Sequence, residues 1–517
     1  MTRSRDVANI IKQPFTTTLG TSNYRAGVNA GNSIESGGNY NVCVGDEAGT
    51  AISTGDDNTV VGYVAGDAIN TGGSNVAVGF GAMSNQTGAS ANVAVGRDAL
   101  FTNVSGLRAT ALGHSTLVYA TSNDNTAVGF QAGLNLSTAV RSTIVGSQAG
   151  AGAAITGAGN TLFGYNAGNA LTTGHSNTLG GQYAGDALTT GNYNTAWGDL
   201  ALSTETTGAA STAIGEGALQ RQIIGNTNDS DNLAAGYVAG AQITTGVGNV
   251  LLGRAGSALT DADNNVAIGR FALQADHLGS RSVAVGTGAL QTQDHASSAE
   301  SVDNVAVGYD AGNAITTGFK NTLLGAFAYK NSQNGDRNVA VGFDTTASGV
   351  NVSNTILIGV GITGPATAKA MIGNAGGTAT IDLDGSDTSW AAASDSRLKK
   401  DVADSTVGLE FIKDLRPVTF KWNAKNAVAS SLPQYDANSS DPIFGVGKAH
   451  HGFIAQEIKA VIDSHSDVVD GHNLWSQEPN GTQQVSPSAL VPMLVKAIQE
   501  QNALIVALTA RVETLEG

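Results

Sequence analysis

Apolar residues along this chain come in short triplets that end on a glycine, and the triplets return at a nearly fixed distance. Val42-Cys43-Val44 before Gly45, Thr59-Val60-Val61 before Gly62 and Val76-Ala77-Val78 before Gly79 open the series. It continues at Gly96, Gly113, Gly129, Gly146, Gly164, Gly181, Gly198, Gly215, Gly236, Gly253, Gly269, Gly286, Gly308, Gly325, Gly342 and Gly359. These 19 glycines leave 18 intervals, 13 of which are 17 residues. A period in this range marks a stack of coils, each too small to bury its own apolar face, so the pattern predicts a mainly β chain built as a parallel β-solenoid.

Side chains alternate across a strand, which sorts each triplet into two faces. The residue before the glycine (Val44, Val61, Val78, Leu112, Trp197) shares a face with a Val/Thr row two positions earlier, and this face is expected to line the coil interior. The middle row (Val60, Ala77, Ala94, Leu162, Leu251) is apolar as well. Strands apolar on both sides are normally covered on both sides, and its many alanines suit close approach of another backbone. The middle row is therefore expected to meet partner subunits, the alternative being a second dry layer inside one chain.

Asn stands four residues before the glycine in 14 of the 19 coils, and Ser142, Ser211 and Ser282 fill three more. An amide repeated at one register can bond the turn and the coils above and below it. Ala recurs three residues after the glycine (Ala48, Ala65, Ala82), and a Thr-Thr-Gly turn often follows. Strands about 4.8 Å apart would make a rod of roughly 90 Å from 19 coils.

Composition narrows the functional classes. Charged residues are 13% and glycine is 68 of 517, against roughly 25% and 7% in ordinary domains; the regular apolar rows argue against disorder. A formal charge of -16 without a basic stripe argues against a nucleic-acid partner. No run of about 18 apolar residues is present, so no membrane insertion is expected, and Met1 to Pro14 is too polar for a secretion signal. The single Cys43 sits in an apolar strand and is assigned to packing.

Proline marks the divisions, because sheet ladders exclude it. No proline lies between Pro14 and Pro365, and six follow from Pro417 to Pro492. The expected domains are an attachment or capping segment over 1–38, the solenoid over 39–360, a cap and junction over 361–393, and a small α+β domain over 394–517. Its last segment, 488–516, reads as a helix. Val491, Ile498, Ile505 and Val512 take one heptad position and Leu494, Gln501, Leu508 and Leu515 the other. That seam is either buried within the chain or a coiled coil, and length and position favour the latter.

Four motifs in order carry the chemistry of this last quarter. They are Ser394-Asp395-Ser396-Arg397-Leu398-Lys399-Lys400, Leu415-Arg416-Pro417-Val418-Thr419-Phe420-Lys421-Trp422, His451-Gly452-Phe453-Ile454-Ala455-Gln456-Glu457-Ile458, and the run from Ser488 to Glu500. Together they resemble the endosialidase-type C-terminal intramolecular chaperone of phage tail fibres and tailspikes. The resemblance implies a domain that trimerises, drives folding of the upstream fibre and is released by a cut beside the motif serine. It makes Ser394 the nucleophile and Lys399 its general base, a single-turnover autoprotease. Such a pair needs a neutral lysine, hence burial or a nearby cation. Arg397 is the nearest cation, with holding Asp395 or a partner chain its other role; Glu457 and His451 are candidates to orient the site. His450, His465 and His472 show no metal-ligand spacing, and no metal or cofactor is expected.

The repeat itself, as in Asn75-Val76-Ala77-Val78-Gly79, resembles the head of YadA-type trimeric autotransporter adhesins, although 17-residue coils are longer than that motif. The resemblance also implies a trimer. The leading expectation is a homotrimeric bacteriophage tail fibre, made in the host cytoplasm, joined to a virion protein through 1–38 and displaying surface to a host receptor. Two long coils, with extra residues at Gln220–Asp231 and Gln291–Asp303, are candidate contact loops. A bacterial surface adhesin would need export and an anchor. A glycan-degrading tailspike would need paired carboxylates, whereas Asp46, Asp67, Asp98, Asp199 and Glu216 read as scattered. An ice-binding solenoid is disfavoured if the Thr row faces inward.

Overall fold

The computed structural model describes residues 20–225, 229–295, 301–383, 391–392, 396–430, 432, 434–444, 447–468, 473–478 and 481–517. It divides into two compact units, Met1–Ala393 and Ser394–Gly517. In the first, short strands from β1 (Tyr24–Ala26) and β2 (Val42–Val44) to β20 (Ile356–Val360) pair in parallel, each with the next in the chain. Their register is one coil to the next, as in Val60↔Ala77 and Ala77↔Ala94. β21 (Lys369–Asn374) continues the parallel stack, and β22 (Gly377–Asp382) and β23 (Ala391–Ala392) turn back antiparallel across its end. β1 and its coil lie within the residues read above as an attachment segment, so coiling begins before the first regular glycine.

The recurring glycine is required twice over. Gly62 has φ +136°, outside the range of L side chains, and a Cβ there would stand 2.6 Å from the carbonyl oxygen of Gly79 in the next coil. The amide row works as a ladder. Asn58 Nδ2 donates to Asn41 Oδ1 at 3.0 Å and to Gly72 O at 2.9 Å, and its Oδ1 accepts the Asn75 N–H at 3.1 Å. Asn58 thus closes its own turn and bonds both neighbouring coils, as Asn75 and Asn321 also do, which satisfies polar groups that are fully buried.

The faces are the reverse of the expectation. The middle row (Cys43, Val60, Ala77, Leu162, Leu251) has no exposed surface and forms the interior with the Ala48 row and an Ile52, Ile69, Leu171 row. The Val/Thr and pre-glycine rows point outward: Phe163 is 54% exposed, Trp197 52% and Leu324 50%. The physical reason is room. A 17-residue coil encloses only a narrow core, which alanines fit, whereas a row running from Gly180 to Trp197 can vary in size only outside. Trp197 folds back over Gly180, where a Cβ would meet its ring at 2.3 Å. The Thr row accordingly faces outward, contrary to the inward placement used against ice binding, but it is interrupted by Val and flanked by these bulky rings.

Two kinds of coil fill the core differently. In one, glycine stands four residues after the periodic glycine and Ile or Leu seven after it, as in Gly66 and Ile69. In the other, Leu or Met takes the first place and a polar residue the second: Met83 with Gln86, Leu100 with Asn103, Leu202 with Glu205, Leu219 with Gln222, Leu273 with Asp276, Leu290 with Gln293. Both side chains of every such pair are buried. The large residue moves from one corner to the other, so core volume is kept while its chemistry changes.

Among its described residues the second unit packs three helices and short strands round Val407, Phe411, Leu415, Ile458, Ile462, Leu474, Leu490 and Met493. The helices are α1 (Leu409–Asp414), α2 (Ala455–Ser464) and α3 (Leu490–Glu516). β24 (Val418–Phe420) pairs antiparallel with β25 (His450–Gly452).

Candidate functional site

The motifs of the second unit converge on one another. Arg416, just past α1, makes a two-pronged ion pair with Glu457 in the first turn of α2, with Nε to Oε2 at 2.9 Å and Nη2 to Oε1. The guanidinium holds the Glu457 carboxyl below the usual carboxylate range. Two motifs 41 residues apart are thereby clamped, and the groove beside them is lined by Arg416, Pro417, Val418, Thr419, Phe420 and Ile454. The role of Arg416 in this pair was not read from the sequence.

His451 lies on β25 opposite Thr419 and is exposed, while its neighbour His450 stacks on Phe420 at 5.6 Å. His465 pairs with Asp414 at 2.8 Å. Ser394, Asp395 and His472 lie outside the described residues. Arg397, in the 3-10 turn Ser396–Leu398, and Lys399 are exposed. Within this single chain, then, burial does not supply the low-dielectric setting that a neutral lysine base requires. No group of three or more His, Cys, Asp or Glu side chains suited to a metal occurs among the described residues.

Helix α3 has two differently placed faces. Leu490, Met493 and Ala497 are buried against the unit's core, and Glu500 Oε2 accepts the Leu409 N–H at 2.7 Å, closing the first turn of α1. The heptad seam lies elsewhere: Val491, Leu494, Ile498, Ile505, Leu508, Val512 and Leu515 are all exposed. From residue 501 onward every residue of the helix is exposed. No described helix is long and apolar enough to cross a membrane.

In the solenoid, the long coils are anchored by two buried acids that sequence reasoning missed. Glu205 Oε1 accepts the N–H groups of Thr206, Thr207 and Gly208 at 2.7–3.0 Å, and Oε2 accepts Ile224 N–H at 3.0 Å and Gln222 Nε2 at 3.1 Å. Asp276 likewise takes Gly279 N–H, His295 N–H and Gln293 Nε2. In each case the amide row holds Ser instead of Asn, and the Gln bridges the gap to Ser211 or Ser282 and to Asn232 or Asn304. The available signal was position, since both acids occupy a column held elsewhere by Ile or Leu. Among the acids read as scattered, Asp199 and Glu216 stand exposed on successive coils of one column, and burial raises Asp67.

Residues 394–467 match the sequence model of a family described as chaperone of endosialidase. The match takes in the first three motifs and stops before α3. No curated protein and no solved structure matches the chain.

Proposed function

We propose that this protein is a homotrimeric bacteriophage tail fibre. Its β-solenoid forms the shaft that meets a host-surface receptor, its N-terminal residues bind a virion protein, and its last unit assembles three chains and then cuts itself away beside Ser394. The observation that carries the reading is the chaperone-of-endosialidase match lying directly after a solenoid. The exposed seam of α3 adds to it as a face for a coiled coil between chains, left uncovered by the described residues, although its β-branched and Leu positions do not by themselves fix three strands. In the cut, Ser394 Oγ attacks the Ala393 carbonyl carbon as Lys399 takes its proton, the Ala393–Ser394 C–N bond breaks with that proton passed to the leaving nitrogen, and water hydrolyses the ester that remains; packing of a neighbouring chain over the exposed lysine would supply the missing burial. The intact masses of the expressed chain and of Ser394→Ala test this. Processing predicts two fragments from the first and one full-length species from the second, and full-length chains from both refute it.

A further inference from the structure

The outward face of the solenoid strands has two borders, one formed by the residue five before each periodic glycine and the other by the residue just after it. Both columns lie at or near the surface, and the first is held in left-handed backbone throughout, as at Arg108 (φ 58°) and Asp124 (φ 63°). Between them the two rows of the face, three and one before the glycine, carry no charged residue in any of the 19 coils. The face is a ribbon without charge, edged by charges.

Those edge charges are placed level by level. Nine levels carry a charge on the first border and six on the second, and no level carries both, where independent placement would give about three. Opposite the charge there stands an aromatic or small group: Asp57 with Tyr63, Asp124 with Phe130, Asp231 with Tyr237 and Arg337 with Phe343. In the other sense Arg97 accompanies Ala91, and Asp199 accompanies Tyr193. Nothing within one chain explains this, because six residues of near-extended backbone, roughly 20 Å, separate the two borders of a level.

We infer that the uncharged ribbon is the face on which a second copy of this chain docks, parallel and with equal levels aligned, so that the first border of one copy lies against the second border of the next. A head-to-tail contact of this kind closes into a ring. At each of the 15 charged levels a charge then meets a ring or a small side chain, never another charge, which avoids the cost of like charges set side by side. The face from border to border, about 20 Å across and 4.8 Å per level, offers roughly 1,800 Å² per copy, or about 900 Å² to each of its two neighbours in the ring, close to the ~800 Å² each partner gives to a stable interface. The inference rests on the homotrimer reading and adds to it the face, the direction and the register.

Paired cysteines in the full-length chain test it. Asp57→Cys with Tyr63→Cys puts thiols on both borders of one level; Asp57→Cys with His114→Cys offsets them by three levels. The native Cys43 is buried, with its thiol pushed up to about 11, and stays silent. Mild oxidation is expected to yield covalent species of two and three chains from the first pair and none from the second. Native mass read on the same samples separates the outcomes. Trimers in which neither pair crosslinks, or both do, overturn the face or the register and leave the trimer standing; single chains in native mass overturn the trimer itself.

Discussion

A Cβ placed on Gly66 would lie 2.8 Å from Cδ1 of Ile69 and 2.7 Å from Cγ1 of Val60. The glycine is thus the space into which the isoleucine packs, and coils with Leu or Met at this corner never keep Ile or Leu at the other. Gly66→Leu should therefore destabilise the solenoid by about 1–3 kcal/mol through overpacking. Adding Ile69→Gln should recover part of the loss, since the amide would find Asn58 and Gly72 as Gln86 finds Asn75 and Ala89. Denaturant unfolding of the two single variants and the double variant gives the coupling, and strict additivity would contradict it.

The amide ladder makes a second prediction. Asn75 donates to Asn58 Oδ1 and Ala89 O, both at 3.0 Å, and accepts the Asn92 N–H at 3.0 Å. Asn75→Ala leaves the buried Asn92 N–H without its acceptor, at about 1–3 kcal/mol, while Asn58 Oδ1 keeps the Asn75 N–H and Ala89 O keeps Gln86 Nε2. Amide exchange at Asn92 should rise sharply while distant coils keep their protection.

The long coil after Gly215 depends on Glu205. Removing its carboxylate with Glu205→Leu frees Ile224 and Gln222 from their anchor, and tryptic cleavage after the exposed Arg221 should accelerate by about tenfold or more, the equivalent of one lost buried acceptor. Cleavage unchanged from the parent chain would show that the loop is held by other contacts.

Glu457 should titrate below an ordinary glutamate. Its folded-state pKa is depressed by Arg416, so the pair's contribution is present above the unfolded carboxyl pKa and is lost as pH falls through the lower folded value, in the acid range below about 4.3. Carboxyl-resolved NMR titration should show the depression, and Arg416→Ala should abolish it.

The period and the amide row were legible in the residues, as was the likeness of residues 394–467 to the chaperone-of-endosialidase model. Which strand face is inside was not, because alternation separates two apolar faces without saying which is enclosed. The deciding signal was side-chain size: Gly180 beside Trp197 in one row cannot stack in a core of constant width, whereas the Ala77, Ala94, Ala111 row can. Glu205 and Asp276 escaped notice because an acid in a glycine-rich repeat looks solvated until its column is compared with Ile52 and Ile69. The Arg416–Glu457 pair needed the fold, which alone brings α1 and α2 together. Ser394, proposed as the processing nucleophile, lies outside the described residues.

Subunit number is the most direct test of the central claim that this solenoid is built to be covered by copies of itself. Sedimentation equilibrium of the full-length Ser394→Ala chain under native conditions should give three times the 52.0 kDa of one chain across a wide concentration range. A stable, soluble species of one chain's mass would contradict it.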